Sequence, residues 1–262
     1  MKILQVILCL AFGSSVHGFT LTRGSAGQAA LGYASANVTF DVDTSCASYS
    51  DLVKSTVDAA AKVWGAVPNS TLKISLGEFT QLPSAITTYV GTSATQYVPV
   101  GNPVIYCDTA FAAHSGQDAD SIPGFATSQY LNSAGEIQTG LLVLNFQSGA
   151  RANLVTMDFT IASVVLTHEI GHVVGIGHSS DTNSLMYYAT GSGRKNVLSK
   201  DDIDAVTYLY PSKEAPGGLS CAQVGSIGTG TRAGWTNTLI ELFLMMLVLM
   251  ALKVRDRKKI YL

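Results

Sequence analysis

Hydrophobic positions recur at two periods along this chain, and the switches between the periods mark its elements. Val38, Phe40 and Val42 alternate with residues that can face water, the pattern of a half-buried strand. Residues 50–67 then carry Leu52, Val53, Val57, Ala60, Ala61 and Trp64 at helical spacing, which predicts a helix with one apolar stripe. Leu72, Ile74 and Leu76 alternate again, residues 103–107 form a short apolar run, and residues 141–146 form a continuous one suited to a buried strand. Ile161, Val164, Val165, Leu166, Ile170, Val173 and Val174 make a strongly apolar stretch that reads as a buried helix, with Asp158 or Thr160 as its cap. Strand, helix, strand, several strands and a late helix predict an α+β fold around a mixed sheet.

Two apolar runs fall outside this pattern, one at each end. Met1 and Lys2, the apolar residues 3–13 and the small residues up to Gly18 have the form of a secretory signal peptide (1–18), whose removal would leave Phe19 as the new terminus. Residues 212–234 are rich in glycine, serine and threonine and read as a flexible linker. Residues 235–252 are apolar apart from Glu241, and as a helix they would span roughly 27 Å, enough to cross a bilayer. Lys253, Arg255, Arg257, Lys258 and Lys259 in the tail 253–262 would stay inside, giving a type I topology and a membrane-anchored product. The same tail resembles bacterial C-terminal sorting signals, in which the apolar helix is later removed; Gly217, Gly218 and Cys221 lie where such processing would act.

The remaining segment, residues 19–211, is long enough for a substantial core, and a net charge of -2 gives no basic surplus for nucleic acid. Without the signal, Cys9 is gone, and Cys46 and Cys107 are the natural disulfide pair in an oxidising compartment; free buried thiols are the alternative. In a eukaryotic host, Asn37 and Asn69 would each begin a glycosylation sequon.

The chemistry concentrates in residues 168–178, which read His-Glu-Ile-Gly-His-Val-Val-Gly-Ile-Gly-His and hold three of the five histidines. His168 and His172 are four apart on the predicted helix, so their rings share one face and can bind one cation from the same side. Glu169 flanks that face, too far round to be a third ligand but placed to reach a metal-bound water as general base. Gly175 permits the positive φ that ends a helix, which lets the chain turn back and bring His178 in as the third nitrogen. Three protein ligands leave one coordination position open, as in catalytic rather than structural zinc sites. Gly171 is costly inside a helix, which implies that some other group approaches the backbone there.

These residues resemble the metzincin metalloproteases, and among them the matrixins. The zinc-ligand pattern falls on His168, His172 and His178, the base on Glu169, and the serine that follows the third histidine on Ser179. Ser184, Leu185, Met186 and Tyr187 match the Met-turn, which implies that Met186 forms an apolar floor beneath one catalytic zinc without ligating it. Residues 198–206, through Leu209 and Pro211, look like the last helix of a matrixin catalytic domain, and Ser199 with Asp202 makes a capping box. The resemblance implies a metzincin-type catalytic domain: a twisted mixed sheet, a zinc-bearing helix, a Met-turn and a C-terminal helix. It also implies that an edge strand lines the substrate cleft, here around residues 121–128 or just after Glu136, and that a peptide pairs with it.

The chain departs from the family at several points. No cysteine-containing latency motif precedes the catalytic region, and the histidines of the family's second zinc are missing. His114, with Asp118 and Asp120 nearby, is the one cluster in that region; the histidine is expected to be solvated on a loop, and calcium at the two aspartates has only weak support. After the Met-turn the chain runs Tyr187, Tyr188, Ala189, Thr190, without the proline usual in the larger matrixins. The expected function is an exported zinc endopeptidase acting on a protein or peptide substrate. The alternative is a zinc-binding surface adhesion module without turnover, which has no physical need for the glutamate or the open ligand position.

Overall fold

The computed structural model describes residues 18–23, 27–82, 100–189 and 195–212, all within the compact unit Met1–Ala215. The signal peptide up to residue 17, nearly all of the linker, the apolar run 235–252 and the basic tail lie outside the described residues. Among the described residues, no helix is long and apolar enough to cross a membrane.

Five strands form one mixed sheet in the order β2-β1-β3-β5-β4. They are β1 (Asn37–Asp43), β2 (Lys73–Thr80), β3 (Val104–Asp108), β4 (Gly124–Leu131) and β5 (Ile137–Asn145). β1 pairs in parallel with β2 and β3, and β3 with β5, while β4 runs antiparallel along β5 and closes one edge. This resolves the choice for the cleft strand: residues 124–131 are the edge, whereas the strand after Glu136 is flanked on both sides. β5 is buried from Thr139 to Asn145 because both sheet faces are covered. Leu142 and Leu144 join the main core with Phe40, Ile105 and Ile170, while Leu141 and Val143 join a smaller cluster with Val104 and Phe111.

Three helices follow from the sequence patterns, α1 (Ser50–Gly65), α3 (Phe159–Val173) and α4 (Lys200–Leu209), and a fourth, the short α2 (Phe111–Ser115), lies where a loop was expected. α1 stops two residues before its expected end at Val67, with Ala66 as its C-cap. It buries Val53, Val57, Ala60 and Trp64, and the Trp64 indole N–H donates to Thr167 O at 2.9 Å, tying α1 to α3. α3 is buried along most of its length, and of its two possible caps Asp158 takes the position, accepting from Thr160 N at 2.8 Å. α4 carries the full capping box of Ser199 and Asp202.

A 3-10 turn at Thr44–Tyr49 joins β1 to α1, and Cys46 within it is joined to Cys107 of β3 by a disulfide with Cα atoms 5.1 Å apart. Both cysteines are buried in the main core. At the other end of the domain, Ser70 bridges to Pro211 and Ser212 N donates to Asn69 O, so the chain leaves α4 along the α1–β2 turn.

Candidate metal centre

α3 delivers the first two imidazoles, and the helix end delivers the third. Gly175 has φ +108°, a conformation that a side chain would strain, and a Cβ there would also press on Ile137 and Leu209. The chain turns at this point so that Ile176 N still bonds back to Gly171 O at 2.9 Å while residues 176–178 run away from the helix axis. Antiparallel contacts fix that segment from outside: Thr22 N donates to Gly175 O, Gly177 N to Thr20 O, and the Thr20 hydroxyl to His178 O at 2.6 Å. Gly177 has no room for a Cβ because Thr20 Oγ1 already fills that place. The sequence patterns carried no signal for residues 20–22 in this role, since their periodicity is too short to read.

The three rings converge. His172 Nε2 lies 3.1 Å from His168 Nε2 and 3.2 Å from His178 Nε2. Behind the rings, His168 Nδ1 sits 2.7 Å from Leu185 O and His172 Nδ1 2.8 Å from Ile176 O. A carbonyl only accepts, so both Nδ1 atoms carry the proton and both Nε2 atoms present lone pairs. Two such lone pairs 3.1 Å apart cannot hydrogen-bond each other; a shared cation resolves the contact. Four tetrahedral ligands at the usual zinc–nitrogen distance of about 2.05 Å stand about 3.3 Å apart, close to what these nitrogens show. Among the described residues, this trio is the only group of three or more histidine, cysteine or carboxylate side chains gathered within reach of one ion.

Electrostatics favour the neutral rings. Burial, with the neighbouring His168 and His178, pushes His172 down to about 3, and burial also lowers His178. Glu169 is pushed the other way, up to about 8, because its carboxyl is withdrawn from water; the Ala126 N–H of β4, which bonds to it, opposes the shift. A divalent cation beside the carboxyl would oppose it further. That bond also shows that the outer edge of β4 borders the helix.

Met186 lies beneath the trio. A Cβ at Gly171 would collide with its Sδ and come within 3.0 Å of Trp64 Cζ2, so the helical glycine makes room for the methionine and the indole. The turn carrying Met186 is clamped by Asp202, whose buried carboxylate accepts from Ser184 Oγ at 2.5 Å, Leu185 N at 2.8 Å, Met186 N at 3.2 Å and Ser199 N at 2.7 Å. Asp201 accepts from Ser179 Oγ, which secures the residue after His178 to the same helix. The capping-box spacing pointed to Asp202 only as a helix start, and nothing in the local pattern marked Asp201.

The other acidic cluster does not gather. His114 is not a solvated loop histidine: it belongs to α2, and its Nδ1 pairs with the buried Asp108 carboxylate at 3.0 Å. A loop reading fails there because the partner is six residues back, at the end of a strand. Asp118 accepts from Asp120 N and Ser121 Oγ within its own turn, and Asp120 accepts from Arg151 N and faces the Arg151 side chain.

The trio and Glu169 form the floor of a cleft of about 540 Å³, with Gly124, Phe125 and Ala126 on one wall and Tyr188 and Ala189 contributing to another.

Comparison with known proteins agrees with this arrangement. The sequence profile of the matrixin family matches residues 33–211, more than half of the chain. The chain is 30% identical over 152 residues to Metalloendoproteinase 5-MMP of Arabidopsis thaliana, covering 53% of this chain and 42% of that protein. It is 46% identical over 57 residues to Metalloendoproteinase 1 of Glycine max, covering 21% and 18%, and 50% identical over 46 residues to human Matrilysin, covering 17% of each. The matched stretches thus span less than half the length of these relatives.

Proposed function

Because the chain belongs to the matrixin family, we propose that it is a zinc-dependent endopeptidase that hydrolyses peptide bonds in proteins, exported by residues 1–18 and tethered by residues 235–252. The observation that carries this reading is the convergence of three Nε2 atoms beside a carboxyl on the same helix, with two rings held from behind by carbonyls. Zinc at that point supplies a Lewis acid that polarises the scissile carbonyl and acidifies water.

The chain's own groups do the rest. His168, His172 and His178 would hold the ion through their Nε2 atoms, at the floor of the cleft that solvent and substrate enter. Glu169, on the cleft floor beside the trio, takes a proton from the attacking water and passes it to the leaving amine nitrogen. A substrate chain pairs with the outer edge of β4 as an added strand, which lays its backbone across Glu169 and the trio. Met186 and the clamp on Asp202 keep the floor from shifting as the substrate enters.

Incubating the purified chain with a broad peptide library tests the reading. Cleavage that stops on adding a chelator and returns with zinc is the expected result, with one zinc bound per chain. Stoichiometric zinc with no peptide cleaved would make the domain a binding module instead.

A further inference from the structure

We propose that Thr20 is a positioning residue for the third ligand: its carbonyl and hydroxyl hold the backbone of His178 so that the imidazole reaches the point shared with His168 and His172. The inference rests on the zinc site of the reading above and adds a residue that lies 158 positions before His178 in the chain.

The three ligands are not held alike. His168 and His172 stand on the buried α3, and a carbonyl accepts from each Nδ1, so backbone and ring are both constrained. His178 has neither support. It lies beyond the helix end and is exposed, and no group among the described residues bonds to its Nδ1. A ring of this kind returns to one point only if its backbone does, so residues 175–178 must be held from outside.

Thr20 holds them on both sides of the ligand. Its O accepts from Gly177 N at 2.8 Å, and its hydroxyl donates to His178 O at 2.6 Å, so the donor before the His178 Cα and the acceptor after it end on one residue. Leu21 bridges antiparallel to Ile176, and Thr22 N donates to Gly175 O at 2.9 Å, which carries the pairing back to the glycine turn. The close approach requires Gly177, where a Cβ would collide with Thr20 Oγ1 and come within 3.2 Å of the Leu21 backbone. Thr20 itself does not line the cleft, so it acts through His178.

Any residue at position 20 supplies the carbonyl; only the hydroxyl depends on which residue stands there. Without it His178 O turns to water, and the ordering of a loop flanked by Gly175 and Gly177 opposes metal binding. Valine keeps the branched shape of threonine and lacks the donor, whereas serine keeps the donor and lacks the methyl group. Thr20 is exposed, so neither change disturbs the core.

Zinc affinity of the wild-type chain, Thr20→Val and Thr20→Ser, measured by competition with a chromophoric chelator beside urea denaturation of the zinc-free forms, tests the assignment. Thr20→Val is expected to bind zinc about tenfold more weakly, through faster dissociation, with Thr20→Ser within about twofold of the wild type. Thr20→Val affinity within about twofold of the wild type overturns the proposal whatever the urea midpoint does, because the hydroxyl would then serve the fold alone. Equal losses in Thr20→Val and Thr20→Ser overturn it as well, since the hydrogen bond would not be their cause. A wild-type chain that takes up no zinc removes the metal reading and this one together, an outcome distinct from a zinc-binding wild type matched by Thr20→Val.

Discussion

At the scale of single residues, the proposed roles of His172 and Glu169 can be told apart by what each touches. His172 contributes its Nε2 to the shared point and its Nδ1 to Ile176 O, so His172→Ala removes a ligand from the middle of the trio. Glu169 touches Ala126 N–H and the cleft but belongs to no ligand pair. Glu169→Gln is therefore expected to keep one zinc per chain while kcat drops by at least about 100-fold; His172→Ala is expected to lose both, and metal analysis beside a peptide assay distinguishes the two. Full activity in Glu169→Gln would sink the assignment of the base. Gly171 offers a second test. Alanine improves helix propensity by up to about 1 kcal/mol, but its Cβ meets Met186 Sδ and the Trp64 ring, neither of which has free space to retreat into. Overpacking of this kind costs about 1–3 kcal/mol, so Gly171→Ala should melt at lower temperature than the wild type. The need for a small residue was legible in the sequence; the two groups that impose it were not, because Trp64 and Met186 come from distant parts of the chain.

At the scale of elements, α3 is only as well placed as the turn beneath it, and α4 holds that turn. One carboxylate, Asp202, satisfies three backbone N–H groups and a hydroxyl, all in a buried setting. Asn in its place turns one acceptor into a donor facing other donors. The expected loss is about 3 kcal/mol of stability, measured by urea denaturation of the zinc-free chain, with weaker zinc binding because Leu185 O also orients His168. A loss below about 0.5 kcal/mol would mean that the turn stands without the clamp. The three longer helices came through clearly in the sequence because their periods are local, whereas the five-residue α2 is too short to show one. Which strand forms the edge did not, since strands at 124–131 and 137–145 differ only in what lies beside them.

At the scale of the whole molecule, the disulfide sets how well the domain resists unfolding. Cys46 and Cys107 are separated by 61 residues, and closing a loop of that size in the unfolded chain is worth about 4 kcal/mol on the chain-entropy account. A chain carrying both Cys46→Ser and Cys107→Ser should lose about that much stability, read from denaturation curves, with the metal site intact when folded. No change in the denaturation midpoint would show that the bond does not constrain the chain. The bond ties the β1–α1 corner to β3, which β5 separates from β4.

The three long helices, the histidine trio that can share one ion and the glycine turn were determined by the sequence alone, because each depends on local spacing and on the fixed pitch of a helix. Tertiary structure decided the rest: which edge of the sheet faces Glu169, which carboxylates of α4 hold the Met186 turn, and which residues near the amino end support His178. Those contacts join segments tens to more than a hundred residues apart, and no local period records them; they exist only once the sheet and helices bury their apolar faces against one another.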